Sequence, residues 1–152
     1  MPRDLRRIAR AGRRASRGVA VVLDSDAVVG FLDRNDALHD VAAAEIRKLV
    51  REQRLLVSVV TYAEVLTGAR LGHHDEDLVR GFFSQLISEV LPVDTTVADT
   101  AAELRSRLKS LRLPDALILA TAEMEPDAEL LLTGDRRIAR ITGLGCTVRL
   151  LG

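Results

Sequence analysis

The stretch VVLDSDAVVGFLD, residues 21–33, decides how the chain is read. The apolar run Ala20 to Leu23 ends directly on Asp24, and beyond Ser25 and Asp26 apolar residues return at helical rather than alternating spacing. That is the pattern of a buried strand that stops on a carboxylate and passes at once into a helix. In an open α/β sheet, ligands bind at the carboxyl ends of strands, so Asp24 is placed for chemistry before any partner is found.

Outward from that stretch, strands and helices alternate. Asp36 is in position to cap a helix whose Leu38, Val41, Ala42, Ile46, Leu49 and Val50 share one face. LLVSVV over 55–60 reads as a buried strand, and TYAEVLTGARLG as a helix closing near Gly72. DLVRGFFSQLISEV is a further helix with Leu78, Phe82, Phe83, Leu86 and Ile87 as core candidates, followed by a short strand over 90–93. The next helix carries Val97, Ala101, Leu104, Leu108 and Leu111, and Pro114 opens another, since proline suits the first helical position. AELLLT is a strand, GDRRIARI a short helix and TVRLL a last strand. The alternation implies a mostly parallel sheet of about four to five strands, flanked by helices on both faces.

With 152 residues and 47% hydrophobic composition, the chain suits one α/β domain with a real core. Aromatics make up 3% and there is no Trp, which argues against recognition by stacking on bases. A single cysteine, Cys146, excludes an intrachain disulfide and leaves no thiolate cluster for zinc, in keeping with a reducing cytoplasm. No apolar run approaches the ~18 residues of a membrane span, and the start lacks the apolar core of a secretory signal. The expectation is a cytoplasmic protein without a membrane partner.

The balanced charge of +0 conceals an asymmetry. Seven Arg (Arg3, Arg6, Arg7, Arg10, Arg13, Arg14 and Arg17) face only Asp4 in the first 17 residues, so the remainder is net acidic and repels nucleic acid unless cations or local Arg patches intervene. Residues 1–18 read either as a flexible leader, or over-long start, ahead of a domain over 19–152, or as a basic arm for RNA phosphates.

Three further acids fall after strands or in first helical turns: Glu64 in TYAE, Asp115 in PDAL and Asp135 in TGD. Each has a bland explanation. Thr61 with Glu64 fits a capping box, Asp115 beside Pro114 suits the helix dipole, and Asp135 is a natural N-cap. Asp24 is harder to dismiss, because Ser25 or Asp26 can serve the helix instead. Gathered on one rim, like charges raise each other's pKa unless a cation offsets them, and an all-oxygen set selects Mg²⁺. Such a cation activates water and neutralises charge on a phosphodiester.

LDSDAVVGFL, TYAEVLTGA, LPDALILATA and LLTGDRRI occur in the order and context of the PIN-domain nucleases, and their spacing resembles the VapC-type toxins of bacterial toxin–antitoxin modules. The resemblance covers residues 19–152. It implies a PIN-like three-layer sandwich and a Mg²⁺-dependent endoribonuclease in which Mn²⁺ can substitute. It also implies a homodimer and inhibition by a cognate VapB-like antitoxin. Asp24, Glu64, Asp115 and Asp135 match the family's acidic quartet, as catalytic and metal-holding residues. Thr133 matches the small polar residue two before the last acid. Ser25 stands where Thr is common, and Asp26 where Ser or Asn is common, which makes Asp26 an additional candidate ligand. Arg136 and Arg137, beside the last acid, are candidates for holding RNA phosphate.

Two other functions compete. A strand followed by DxD also resembles the haloacid-dehalogenase phosphatases, with Asp24 as nucleophile and Asp26 as its acid/base partner. That chemistry needs a later lysine and a second acid beyond the GD motif. The only lysines, Lys48 and Lys109, lie in amphipathic helices, and GDRRIAR offers Arg and Ala where the acid belongs. The other rival is a non-catalytic PIN-like module that only binds RNA or a partner; its expected signature is a missing acid, and none is missing. The run His73, His74, Asp75, Glu76 and Asp77 reads as a solvated helix start rather than a metal site, and Asp94 as a cap.

Overall fold

A computed structural model describes residues 19–152. The Arg-rich leader, and both readings of it, lie outside the described residues. The first strand, β1 (Ala20–Leu23), is buried along its whole length. Its apolar run is continuous because it lies mid-sheet with helices on both faces. It is followed by α1 (Ser25–Leu32) and α2 (His39–Glu52), then β2 (Arg54–Ser58), α3 (Val59–Arg70), α4 (Glu76–Gln85) and β3 (Glu89–Leu91). The chain continues through α5 (Thr95–Arg107), α6 (Leu113–Met124), β4 (Ala128–Thr133), α7 (Arg136–Ala139) and β5 (Thr147–Leu150).

The strands pair in the order β3-β2-β1-β4-β5, all parallel. Side chains alternate across the pleat into two cores. Val21, Leu23, Leu55, Val57 and Leu132 pack with α1 to α4 on one face, while Ala20, Val22, Leu56 and Leu131 pack with α5, α6 and Ile138 of α7 on the other. The expected parallel sheet with helices on both faces is therefore what forms. From β1 the chain builds outward to β3, then returns to the opposite side of β1 for β4. The strand order reverses between β1 and β4, and the crevice at their carboxyl ends is where such sheets bind ligands.

Several local expectations are corrected. The second strand ends at Ser58, whose side chain accepts from the Val60 backbone N–H at 3.1 Å and caps α3. Val59 and Val60 are therefore helical, because a satisfied cap outweighs the strand preference of two β-branched residues. Thr61 and Glu64 consequently form no capping box. Asp36 does not cap α2: it accepts from Leu38 N–H in the preceding turn, and the helix begins at His39 without a side-chain cap. Val41 and Leu78 face outward, and Val79 takes the core position in α4, which stops before Leu86 and Ile87. β3 lies slightly earlier than expected. Leu108 and Leu111 follow α5 rather than belonging to it, and α6 starts one residue before Pro114. Asp94 caps α5 and Asp135 caps α7, as read from the sequence. Gly72 closes α3 at φ +85°, a conformation open to glycine. Among the described residues no helix is long and apolar enough to cross a membrane.

Candidate active site

Asp24 sits where β1 meets α1 and is only 4% exposed. Its backbone N–H donates to Leu132 of β4 at 2.9 Å, which fixes it at the strand crossover. One carboxylate oxygen accepts from Ser25 N–H at 2.8 Å, the other from the Thr133 hydroxyl at 2.8 Å. Asp24 thus caps α1 after all, yet its burial is far deeper than a cap requires. That burial, followed by the charges of Asp26 and Asp115, pushes its carboxyl up to about 7 against the opposing effect of the Thr133 and Ser25 hydrogen bonds.

Asp26, in the first turn of α1, accepts from Gly134 N–H at 2.9 Å and so reaches across to the end of β4. Burial raises its carboxyl too, with Asp135 and Asp115 adding like charge. The approach depends on Gly134: a Cβ there would meet Leu38 Cδ1 at 2.3 Å and the Asp26 carboxylate at 3.2 Å.

Asp115 enters from the first turn of α6 and pairs with Arg112 Nε at 3.1 Å. Asp135 accepts from Arg137 N–H at 2.8 Å as the α7 cap and binds the Arg137 guanidinium through Nε at 3.3 Å and Nη2 at 3.0 Å. The hydrogen bond from that guanidinium holds its carboxyl below the ordinary value. Glu64 joins through Ser25, whose hydroxyl donates to Glu64 Oε1 at 2.8 Å and lies 3.1 Å from the hydroxyl of buried Thr61.

The structure therefore brings Asp24, Asp26, Asp115 and Asp135 into one electrostatic field, with Glu64 tied to its edge and Thr133 spanning it. Asp26, an addition to the quartet on sequence grounds, is as much a part of this field as the others. Arg137 contacts the site through Asp135, whereas no side-chain contact ties Arg136 to these acids. Sequence reasoning took Thr61 only for a capping partner of Glu64, and missed Gly134 and Arg112. Only Arg112, three residues before Asp115, left a local signal, an i,i+3 ion pair. His73 and His74 lie at the far end of α3, and Asp75 caps α4.

The donors are all oxygens, and the raised carboxyl of Asp24 marks a place where positive charge is wanted. The chemistry fits a hard divalent cation. Among the described residues no three His, Cys, Asp or Glu side chains form a ready-made cage. Asp115 and Asp135 are instead engaged by guanidiniums.

The sequence pattern of the PIN domain matches residues 21–144. No curated protein matches the chain significantly in sequence. Among solved structures, a chain of the Rickettsia felis VapBC2 complex bound to a promoter DNA fragment superposes with TM-score 0.68 at 16% identity, covering 88% of this chain and 99% of that one. A toxin–antitoxin complex from Klebsiella pneumoniae gives 0.63 at 25% identity, over 79% and 90%. DNA-bound VapBC from Salmonella typhimurium gives 0.66 at 19%, over 86% and 97%. These likenesses agree in fold, and the family pattern spans most of the described residues: the chain belongs to the PIN domain family.

Proposed function

We propose that this protein is a Mg²⁺-dependent endoribonuclease, with Mn²⁺ able to substitute, acting as the VapC-type toxin of a toxin–antitoxin pair. The observation that carries the reading is Asp24, a nearly inaccessible carboxyl raised to about 7 at the sheet's crossover, facing Asp26 and Asp115. A buried acid kept so close to like charges is unfavourable for the fold by itself and finds its use with a cation. Family membership and the likeness to chains of VapBC complexes support the nuclease and toxin parts. They also support a VapB-like antitoxin as partner. A homodimer, a cytoplasmic location and a single PIN unit over 19–152 complete the reading.

In it, Asp24, Glu64, Asp115 and Asp135 would hold the cation, with Asp26 as an additional ligand. The cation, when bound, lowers the pKa of water and offsets charge on the phosphodiester. Thr133 keeps the Asp24 carboxylate oriented by donating to one oxygen, and Ser25 N–H holds the other. Ser25 and Thr61 fix Glu64 at the rim. The phosphatase reading gains no support: Lys48 is exposed on α2, and Lys109, read from the sequence as helical, is exposed in the turn that follows α5, with no second acid in GDRRIAR.

Expression without an antitoxin tests the biological part. The wild type is expected to arrest growth with loss of intact RNA, and Asp24→Asn to relieve both. Equal arrest by the two proteins would remove the reading.

A further inference from the structure

Arg137 and Arg112 line one cleft between the α5–α6 turn and α7, floored by Leu108, Leu111, Ile138 and Ile141. Each guanidinium is also committed to an acid of the site. Arg137 holds Asp135 through two guanidinium nitrogens, and Arg112 holds Asp115 through Nε. A carboxylate has two oxygens, and on Asp135 both already face Arg137, with one of them also capping α7. Three of its roughly four acceptor positions are taken, two of them by the guanidinium, so a cation arriving at this acid meets the guanidinium's positive charge and competes with it for the same two oxygens. Giving up the ion pair costs little, because the Arg137 side chain is 77% exposed and exposed pairs are weak. A released guanidinium keeps a planar fork of donors suited to phosphate, and it already lines a cleft beside Asp115.

We propose that Arg137 is an exchangeable counter-ion: it competes with the divalent cation for Asp135 and, once displaced, holds a phosphate of the RNA in the cleft. This rests on the metal-nuclease reading and adds a residue-level order to it, in which cation binding frees the Arg137 guanidinium to hold phosphate in the cleft that Arg112 also lines. An acidic body thereby gains a local cationic patch when the cation is present.

The two halves of the proposal move opposite observables in opposite directions. Mn²⁺ binding to the purified full chain, read from the electron paramagnetic resonance signal of the free ion, is expected to be about three-fold tighter in Arg137→Gln than in wild type. The KM for single-stranded RNA is expected to rise about five-fold in the same variant with kcat little changed, and Arg137→Lys, which keeps the charge but not the planar fork, to recover only part of that rise. The backbone N–H that caps α7 is untouched, so the variant keeps its fold. Mn²⁺ affinity that is unchanged or weaker in Arg137→Gln, in a protein whose wild type binds Mn²⁺ and whose Asp24→Asn variant does not, would overturn the exchange alone. Absence of Mn²⁺ binding by the wild type would overturn both the exchange and the nuclease reading.

Discussion

The Thr133 hydroxyl donates to Asp24 Oδ2 at 2.8 Å across 109 residues of sequence and accepts from Asp135 N–H at 3.0 Å. One buried side chain thus joins the ends of β1 and β4 and aligns the first and last acids of the site.

Thr133→Val keeps the shape and removes both bonds. Loss of a donor to the ionised form moves the Asp24 carboxyl further up, and Asp135 N–H loses its partner. Cation affinity and cleavage are expected to fall about 10- to 100-fold, as for other groups that orient metal-holding side chains. The acid limb of the pH–rate profile should move to higher pH. A Mg²⁺ titration of cleavage at several pH values measures both.

Asp24 also sets a pH dependence of stability. Its folded pKa, about 7, lies above the ordinary 3.8, so between these values the folded state binds more protons than the unfolded one. Stability in EDTA is then fully present below about pH 4 and lost as pH rises through about 7, by up to about 4 kcal/mol. Thermal unfolding is expected to show a falling Tm from pH 5 to 8. Asp24→Asn should flatten this dependence and raise Tm at pH 8.

Gly134→Ala probes Asp26. The new methyl overlaps Leu38 Cδ1 and presses on the Asp26 carboxylate. Leu38 can yield by rotating its flexible end, whereas Asp26 loses its close approach to the backbone. The expected result is a folded protein with about ten-fold weaker cation binding, measured by calorimetry.

A fourth prediction separates stability from chemistry. Buried Arg54 pairs with Asp127 at 2.9 Å, linking the start of β2 to the turn before β4, at the sheet edge opposite the site. Asp127→Ala strands a buried guanidinium and should cost about 3 kcal/mol in urea unfolding while leaving kcat unchanged.

The central strand and its acid were legible because both depend on local order: a four-residue apolar run rich in Val, stopped by a carboxylate, fits a strand covered on both faces, and Asp24 follows it directly. The quartet was legible as four short motifs in sequence. What escaped was set by partners far along the chain. Ser25 meets Thr61 and Glu64, and Asp26 meets Gly134, at separations of 36, 39 and 108 residues. Likewise Val59 and Val60 favour a strand by propensity, and only the Ser58 cap turns them into α3. The bland explanation of Glu64 as half of a capping box fell with that shift.

The most direct measurement is single-turnover cleavage of an end-labelled RNA by the purified protein, with Mg²⁺, with EDTA, and with Mg²⁺ restored, alongside Asp24→Asn. The account predicts cleavage by the wild type only when Mg²⁺ is present, and none by the variant under any of the three conditions. Cleavage that persists in EDTA, or in Asp24→Asn at the wild-type rate, would contradict it.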